Sequence, residues 1–327
     1  MRVALASILA LAVVACGAPQ AAQTTLPVPT PSPVEAPADT AVVVPAPIAL
    51  ECAGAFAQGG VIVCRTEAGA AVRVDDVDRG RADASGWFVA GFDRDAPAAA
   101  KIEVRGTNAA RERSFAIAPR QFSIQRIDGL PPETVTPTDP AVLARIARET
   151  EIKNRARESR AVLQGYNDAF LWPVGGRMSG AWGNQRVLNG EPRTPHYGID
   201  IAAPTGTPIR APAAGVIALA EKDLHFEGGL IMLDHGQGLI TYYLHMSRLD
   251  VAQGETVAQG QSLGAVGRSG RTTGPHLCWR MRWRDRNLDP SLAIHGLAVA
   301  RAHFGAGASV DPGAAPAGFV QWTQAAE

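Results

Sequence analysis

This chain is short of cysteine, of aromatic residues and of charge imbalance, and each shortage narrows what it can be. Its 31 lysines and arginines balance 31 aspartates and glutamates, so the formal net charge is zero. No basic field draws it to a phosphate backbone, and a nucleic-acid partner is not expected. Aromatics make up only 6% of the residues, whereas glycine (34) and proline (24) are plentiful. That balance suits short strands and turns better than long helices. The mostly apolar stretch Val3–Ala15 has 13 residues, too few for a bilayer core that takes about 20.

Four cysteines are few enough to take one at a time. Residues 1–15 read as a lipoprotein signal peptide: Arg2, the apolar run, then Val13-Val14-Ala15-Cys16, which resembles a bacterial lipobox with Cys16 as the lipid-bearing thiol. Plain secretion with a coincidental cysteine is the alternative. An exported chain meets an oxidising compartment, so Cys52 and Cys64 are disulfide candidates. Cys278 then has no thiol partner left, and a metal would give it a role.

Composition divides the rest. Residues 16–49 carry eight prolines among Ala, Thr and Val and read as an extended tether, reaching on the order of 100 Å at about 3.1 Å per residue. Residues 50–119 read as a small β-sandwich-like domain, with strand-like runs such as Val61–Cys64, Ala71–Val74 and Lys101–Val104 between turn signals. No pair or cluster of catalytic residues appears in it. Residues 120–165 are Pro-rich turns followed by a linker helix capped by Asp139 with Pro140 in its first turn. Val142, Leu143 and Ile146 lie on one side of that helix, and a charged, solvated remainder follows. Residues 166–296 alternate short strands with glycine turns, as in Gly215–Leu219, Gly229–Leu233 and Leu239–His245. The segment 297–327, rich in Ala and Gly, is expected to be a poorly ordered tail. The expected fold is therefore mainly β.

The chemistry sits in 166–296. His196 and Asp200 are four apart with Gly198 between them, which suits a tight turn folding both side chains toward one ion. His276 and Cys278, two apart in an apparent strand, share one face. His245 ends another strand-like run and can bring a third imidazole to the same place. His235 lies in the turn Asp234-His235-Gly236 and reads as a structural hydrogen-bonding residue. His225, His295 and His303 have no partner pattern and read as surface residues, and Trp279, Met281 and Trp283 read as core or groove wall. The loop from Gly183 to Pro195 reads as a groove wall, in which Arg186 can meet either a substrate carboxylate or a salt-bridge partner.

Three stretches, HYGIDIAAPTGTPIRAPAAGVI (196–217), LIMLDHGQGLITYYLHMS (230–247) and GETVAQGQSLGAVGRSGRTTGPHL (254–277), resemble the M23 metallopeptidases of the lysostaphin and LytM type. The resemblance covers 170–293. It implies an antiparallel β-domain with a groove whose floor holds one zinc ion, and peptidoglycan peptide cross-links as substrate. It also implies His196 and Asp200 as the first two metal ligands, and His245 and His276 as catalytic histidines that orient water and stabilise the oxyanion. The family's third ligand is the second histidine of an H-x-H pair, where this chain has Cys278. Zinc accepts thiolate at about 2.3 Å. Asp and thiolate together neutralise its two charges, however, so a weaker Lewis acid is expected.

The expectation is thus an exported lipoprotein, anchored by Cys16 in the outer membrane and facing the periplasm. It acts as a zinc endopeptidase on the wall, in remodelling or division, with division proteins or other wall hydrolases as partners. The alternative is a catalytically weak or inactive regulator that activates other wall hydrolases.

Overall fold

The computed structural model describes residues 48–305, 313 and 315–318. The expected signal segment, Cys16 and all but the end of the tether lie outside the described residues. The described residues form one compact unit.

The N-terminal module has seven strands, β1 (Glu51–Gly54), β2 (Val61–Arg65), β3 (Ala71–Val74), β4 (Val77–Arg81), β5 (Trp87–Gly91), β6 (Ala99–Arg105) and β7 (Ala110–Ala116). They form two antiparallel sheets, ordered β1-β2-β5 and β4-β3-β6-β7. Cys52 and Cys64 are cross-strand partners on β1 and β2 and are joined as a disulfide.

The connecting segment carries β8 (Ile124–Ile127), a single helical turn α1 (Pro132–Val135) and helix α2 (Pro140–Arg157). The Asp139 carboxylate accepts from the backbone N–H groups of Ala141 and Val142, which caps α2. This helix is not the solvated connector expected from its charge. Leu143, on the anticipated apolar side, is 47% exposed, whereas Glu149, Lys153 and Ala156 are buried. Partners make that burial affordable. Arg145 Nε lies 2.6 Å from Glu149, whose other oxygen accepts from the His225 N–H, and Lys153 Nζ lies 2.6 Å from Glu227.

The C-terminal module has β9 (Arg177–Gly180), β10 (Gln185–Leu188), β11 (Glu191–Pro192), β12 (Gly198–Ala202), β13 (Pro208–Arg210), β14 (Gly215–Leu224) and β15 (Gly228–Asp234). It continues with β16 (Leu239–Met246), β17 (Arg248–Leu249), β18 (Thr256–Val257), β19 (Ser262–Ala265), β20 (His276–Trp283) and β21 (Arg286–Leu288), and closes with helix α3 (Pro290–Phe304). The main sheet runs β18-β14-β15-β16-β20-β12-β9, with β21 beside β20, and a smaller sheet runs β13-β19-β17. The pairs of the main sheet are antiparallel. In contrast, β8 of the connector pairs in parallel with β10, so the connector forms part of the C-terminal module.

The expected boundaries at 119 and 296 do not separate independent bodies. One core cluster includes Ile62, Phe88 and Ile102 of the first module and Ile199, Trp279 and Leu297 of the second. The anticipated tail begins as α3, which is capped by Asp289 and ends at Gly305 in the left-handed region. Leu297 and Ala300 are buried, and a Cβ on Gly296 would lie 2.9 Å from Val61 O, so the helix packs directly on the first module. Asp289 also receives Arg120 Nη2 at 2.8 Å.

Candidate metal centre

Strand alternation along β20 builds the floor of the site. Trp279, Met281 and Trp283 face the core, which leaves His276, Cys278, Arg280 and Arg282 on the other face. Across the ladder Asp200 pairs with Cys278, and Gly198 with Arg280. His196 precedes β12 and is fixed by its N–H to Asn184 O. Its Nε2 lies 3.2 Å from Asp200 Oδ1 and 3.4 Å from Cys278 Sγ. One ligand atom from each of these three residues falls within 4.8 Å of the others. His276 Nε2 is 3.6 Å from Asp200 Oδ1, and the His245 and His276 rings are 4.8 Å apart.

His245 reaches this face by a slip in strand phase. Along β16, Leu239 and Tyr243 belong to the main core, while Ile240, Tyr242 and Leu244 pack on the other side. Strict alternation would send His245 into the main core. Its backbone instead adopts φ +66, and its N–H bonds Glu227 O, after which Met246 returns to the core. A left-handed residue of this kind costs of order 1 kcal/mol, and such residues cluster at functional sites.

All three histidines are oriented alike. Nδ1 faces a backbone carbonyl in each: Ala181 O at 3.3 Å for His196, Ser269 O at 2.8 Å for His245 and Gly274 O at 2.9 Å for His276. With Nδ1–H donated there, Nε2 carries its lone pair into the site, the tautomer that ligates metals or accepts protons. Asp200 Oδ1 is buried and accepts no hydrogen bond, so bare electron pairs of Asp200, His196 and Cys278 face one another. That arrangement calls for a positive charge between them. Bonds of about 2.0–2.3 Å to a tetrahedral ion place the ligand atoms roughly 3.3–3.7 Å apart, close to the 3.2 and 3.4 Å seen here. The residues therefore fit a divalent ion with an N, O and S donor set.

Electrostatics agree. Burial disfavours a charged His196, yet Asp200 and Cys278 beside it hold its pKa above the ordinary value, so the pocket favours positive charge at this point. Burial also works against the Asp200 carboxylate, but His196, Arg186 and His276 keep it well below the usual range. Burial pushes His245 down to about 4, helped by Arg280 and opposed by the Ser269 carbonyl. Arg280 is held charged by the nearby Cys278, Glu227 and Asp200, against its own burial. Two glycines keep room: a Cβ on Gly180 would lie 2.4 Å from Asp200 Oδ2, and one on Gly198 would lie 3.1 Å from Cys278 Sγ.

The site opens into a groove of about 390 Å³, lined among others by Arg177, Arg186, Arg271 and Arg280 with Asp200 and Glu227. Arg186 Nη2 binds Asp200 Oδ2 at 3.0 Å. It fixes the Asp200 carboxylate and leaves Oδ1 to face the histidines. His235 lies away from this cluster, buried, with Nδ1 2.8 Å from Ala214 O and Nε2 2.8 Å from Thr241 Oγ1. His303 is exposed and pairs with Glu51, whereas His225 and His295 are half-buried rather than on the surface. Arg280, Glu227 and Lys153 are site neighbours that sequence reading passed over. Alternation from His276 would have exposed Arg280, but nothing local links Lys153 to Glu227.

The sequence pattern of Peptidase family M23 matches residues 194–290, which hold His196, Asp200, His245, His276 and Cys278. A solved structure of a putative peptidase M23 from Pseudomonas aeruginosa is 31% identical. It covers 74% of this chain and 96% of its own, with a TM-score of 0.56. The chain belongs to peptidase family M23. Two curated relatives match a shorter stretch. Peptidoglycan DD-endopeptidase ShyA of Vibrio cholerae is 38% identical over 95 residues, and DD-carboxypeptidase/endopeptidase Mpg of Neisseria meningitidis is 43% identical over 95. In each case the match covers 29% of this chain and 22% of the relative. This M23 chain thus spans about a fifth of the length of those proteins.

Proposed function

We propose that the chain is a zinc-dependent endopeptidase hydrolysing peptide cross-links of bacterial peptidoglycan. The observation that carries the reading is the convergence of His196 Nε2, Asp200 Oδ1 and Cys278 Sγ on the floor of an open groove, with His245 and His276 beside them. The names of the two curated relatives support wall peptides as the substrate. The apolar run before Cys16 supports an exported, lipid-anchored form facing the periplasm.

His196, Asp200 and Cys278 would hold a divalent ion, which would supply Lewis-acid polarisation of the scissile carbonyl and make water more acidic. The chain's own residues do the rest. His245, neutral because it is buried and aimed by Ser269 O, accepts a proton at Nε2. His276, whose ring lies 4.8 Å from that of His245, offers a second Nε2. Either imidazole, once protonated at Nε2, donates to the developing oxyanion or to the leaving nitrogen. Arg186 keeps the Asp200 carboxylate from rotating.

The test is zinc content together with muropeptide release, on the full chain and its His245→Ala and Cys278→Ser variants. Stoichiometric zinc, with release lost in both variants and metal lost only from Cys278→Ser, is the expected result. The cysteine in a ligand position favours one second reading, a regulator of other wall hydrolases. Zinc-free, inert protein that stimulates another hydrolase would establish that reading instead.

A further inference from the structure

The groove does not end at the metal site. A second cavity of about 220 Å³ adjoins it along β20, and Glu227, Leu244 and Arg280 line both. Its other walls include Lys153 and Arg157 of α2, Tyr242 of β16 and Arg282 of β20. Lys153 and Arg157 are one helical turn apart, and Tyr242 is the cross-strand partner of Arg280.

Four cations therefore face one carboxylate. Lys153 uses that carboxylate, at 2.6 Å from Glu227. Among the described residues, Arg157, Arg280 and Arg282 have no carboxylate within ion-pair distance. Arg282 instead donates to Arg284 O and Asn287 Oδ1, and Arg157 to Asn154 Oδ1. Arg280 Nε and Arg157 Nε are buried without acceptors, and the Tyr242 hydroxyl, on a residue only 7% exposed, makes no well-formed hydrogen bond. Three guanidinium groups and a phenol gathered around a cavity whose one lining carboxylate, Glu227, is already paired with Lys153 are costly to bury and complementary to a planar anion. Burial raises the Tyr242 pKa against the pull of the three arginines, so the hydroxyl stays a donor.

We propose that this cavity is a carboxylate subsite of the substrate groove, holding a free carboxylate of the peptide beyond the scissile bond. The proposal rests on the peptidase reading above and adds what the enzyme selects. Strand rise sets the distance: Arg280 and Arg282 lie two and four residues past Cys278, or about 7 and 13 Å at some 3.3 Å per residue. An extended peptide bound along β20 thus presents its carboxylate two to four residues from the bond that is cut. Acidic peptides are favoured over peptides whose carboxylates are amidated.

The test uses the full, zinc-loaded chain and one pool of cross-linked muropeptides, half of it converted to carboxamides with carbodiimide and ammonia. The wild type is expected to show a KM at least about tenfold higher on the amidated pool, with kcat within about twofold, as loss of a charge-assisted hydrogen bond implies. Arg157→Gln and Arg282→Gln should raise KM similarly on the acidic pool and add nothing on the amidated one. Arg157 sits near the end of α2 and is only half-buried, so its variant keeps the test open if Arg282→Gln folds poorly. Equal KM values for the two pools, or variants that raise KM equally on both, would overturn the subsite. If the wild type cleaves neither pool, the peptidase reading fails, and calorimetric binding of both pools still decides the subsite. A preference for the acidic pool that Arg157→Gln abolishes supports it, and no preference overturns it.

Discussion

Asp200 and Cys278 face each other directly across the β12–β20 ladder, and His196 Nε2 lies within 3.4 Å of an atom of each. Backbone pairing therefore sets the spacing of two groups of different chemistry, one hard and one soft, that could share an ion. If Cys278 is a ligand, cobalt loaded into the full chain should give a thiolate-to-metal charge-transfer absorption that Cys278→Ser abolishes. Metal affinity should fall on the order of a hundredfold or more in that variant, exceeding the 10–100-fold loss typical of outer-sphere partners. Cys278→His should retain the metal, lose the absorption and leave a more electron-poor ion, which is expected to raise kcat. Unchanged spectra in both variants would remove Cys278 from the donor set.

Arg186 reaches the opposite oxygen of the same carboxylate, at 3.0 Å. Its side chain is only 22% exposed, so solvent weakens the pair little. Arg186→Gln should cost about 10–100-fold in metal affinity through a looser Asp200, measured by competition with a chromogenic chelator. Full retention of affinity would remove Arg186 from the support of the metal site.

The contrast between these residues shows where sequence reading reaches. His276 and Cys278 were legible because both lie on one strand, whereas the tight turn expected for His196 and Asp200 is absent: Asp200 lies in β12 and His196 just before it, where even spacing along extended chain gives the shared direction. His245 was legible through family resemblance but not through period, since alternation along β16 would send it into the core and a φ of +66 overrides that. Arg186 was ambiguous because the expected loop is in fact the short strands β10 and β11, and four residues of β10 are too few to show a period. The buried Lys153–Glu227 pair bridges 74 residues and leaves no local trace. Helix α3 was missed beneath its Ala-rich composition, although Asp289-Pro290 at one end and Gly305 at the other are ordinary start and stop signals. The charge of α2 misled for a related reason: composition counts charges but not their partners.

His245 gives a pH prediction. Burial holds its pKa at about 4, so the imidazole is neutral and able to accept a proton at every pH well above that value. A bound cation nearby disfavours the charged form further. The acidic limb of kcat/KM assigned to this base should thus fall below pH 5, not near the 6.5 of an ordinary histidine. In His245→Ala that limb should disappear along with most of the activity, while bound zinc stays stoichiometric. A limb at 6.5 in the wild type would point to another base.

His235 makes the matching prediction for stability. It is fully buried, and both ring nitrogens are held, by Ala214 O and by a Thr241 hydroxyl that in turn meets Tyr243 Oη at 2.8 Å. Burial lowers its pKa from 6.5 to about 4, against the Ala214 carbonyl and Asp234. Between those values the unfolded chain binds a proton that the folded chain refuses, so stability rises with pH across this window. The contribution is complete above 6.5, declines as pH falls, and is gone below about 4. The gap is worth about 3 kcal/mol at 1.36 kcal/mol per pH unit. Urea midpoints of the metal-free chain should drop between pH 7 and pH 4.5, and His235→Gln should flatten that drop while lowering the midpoint at pH 7. An equally steep pH dependence in His235→Gln would assign the linkage to other groups.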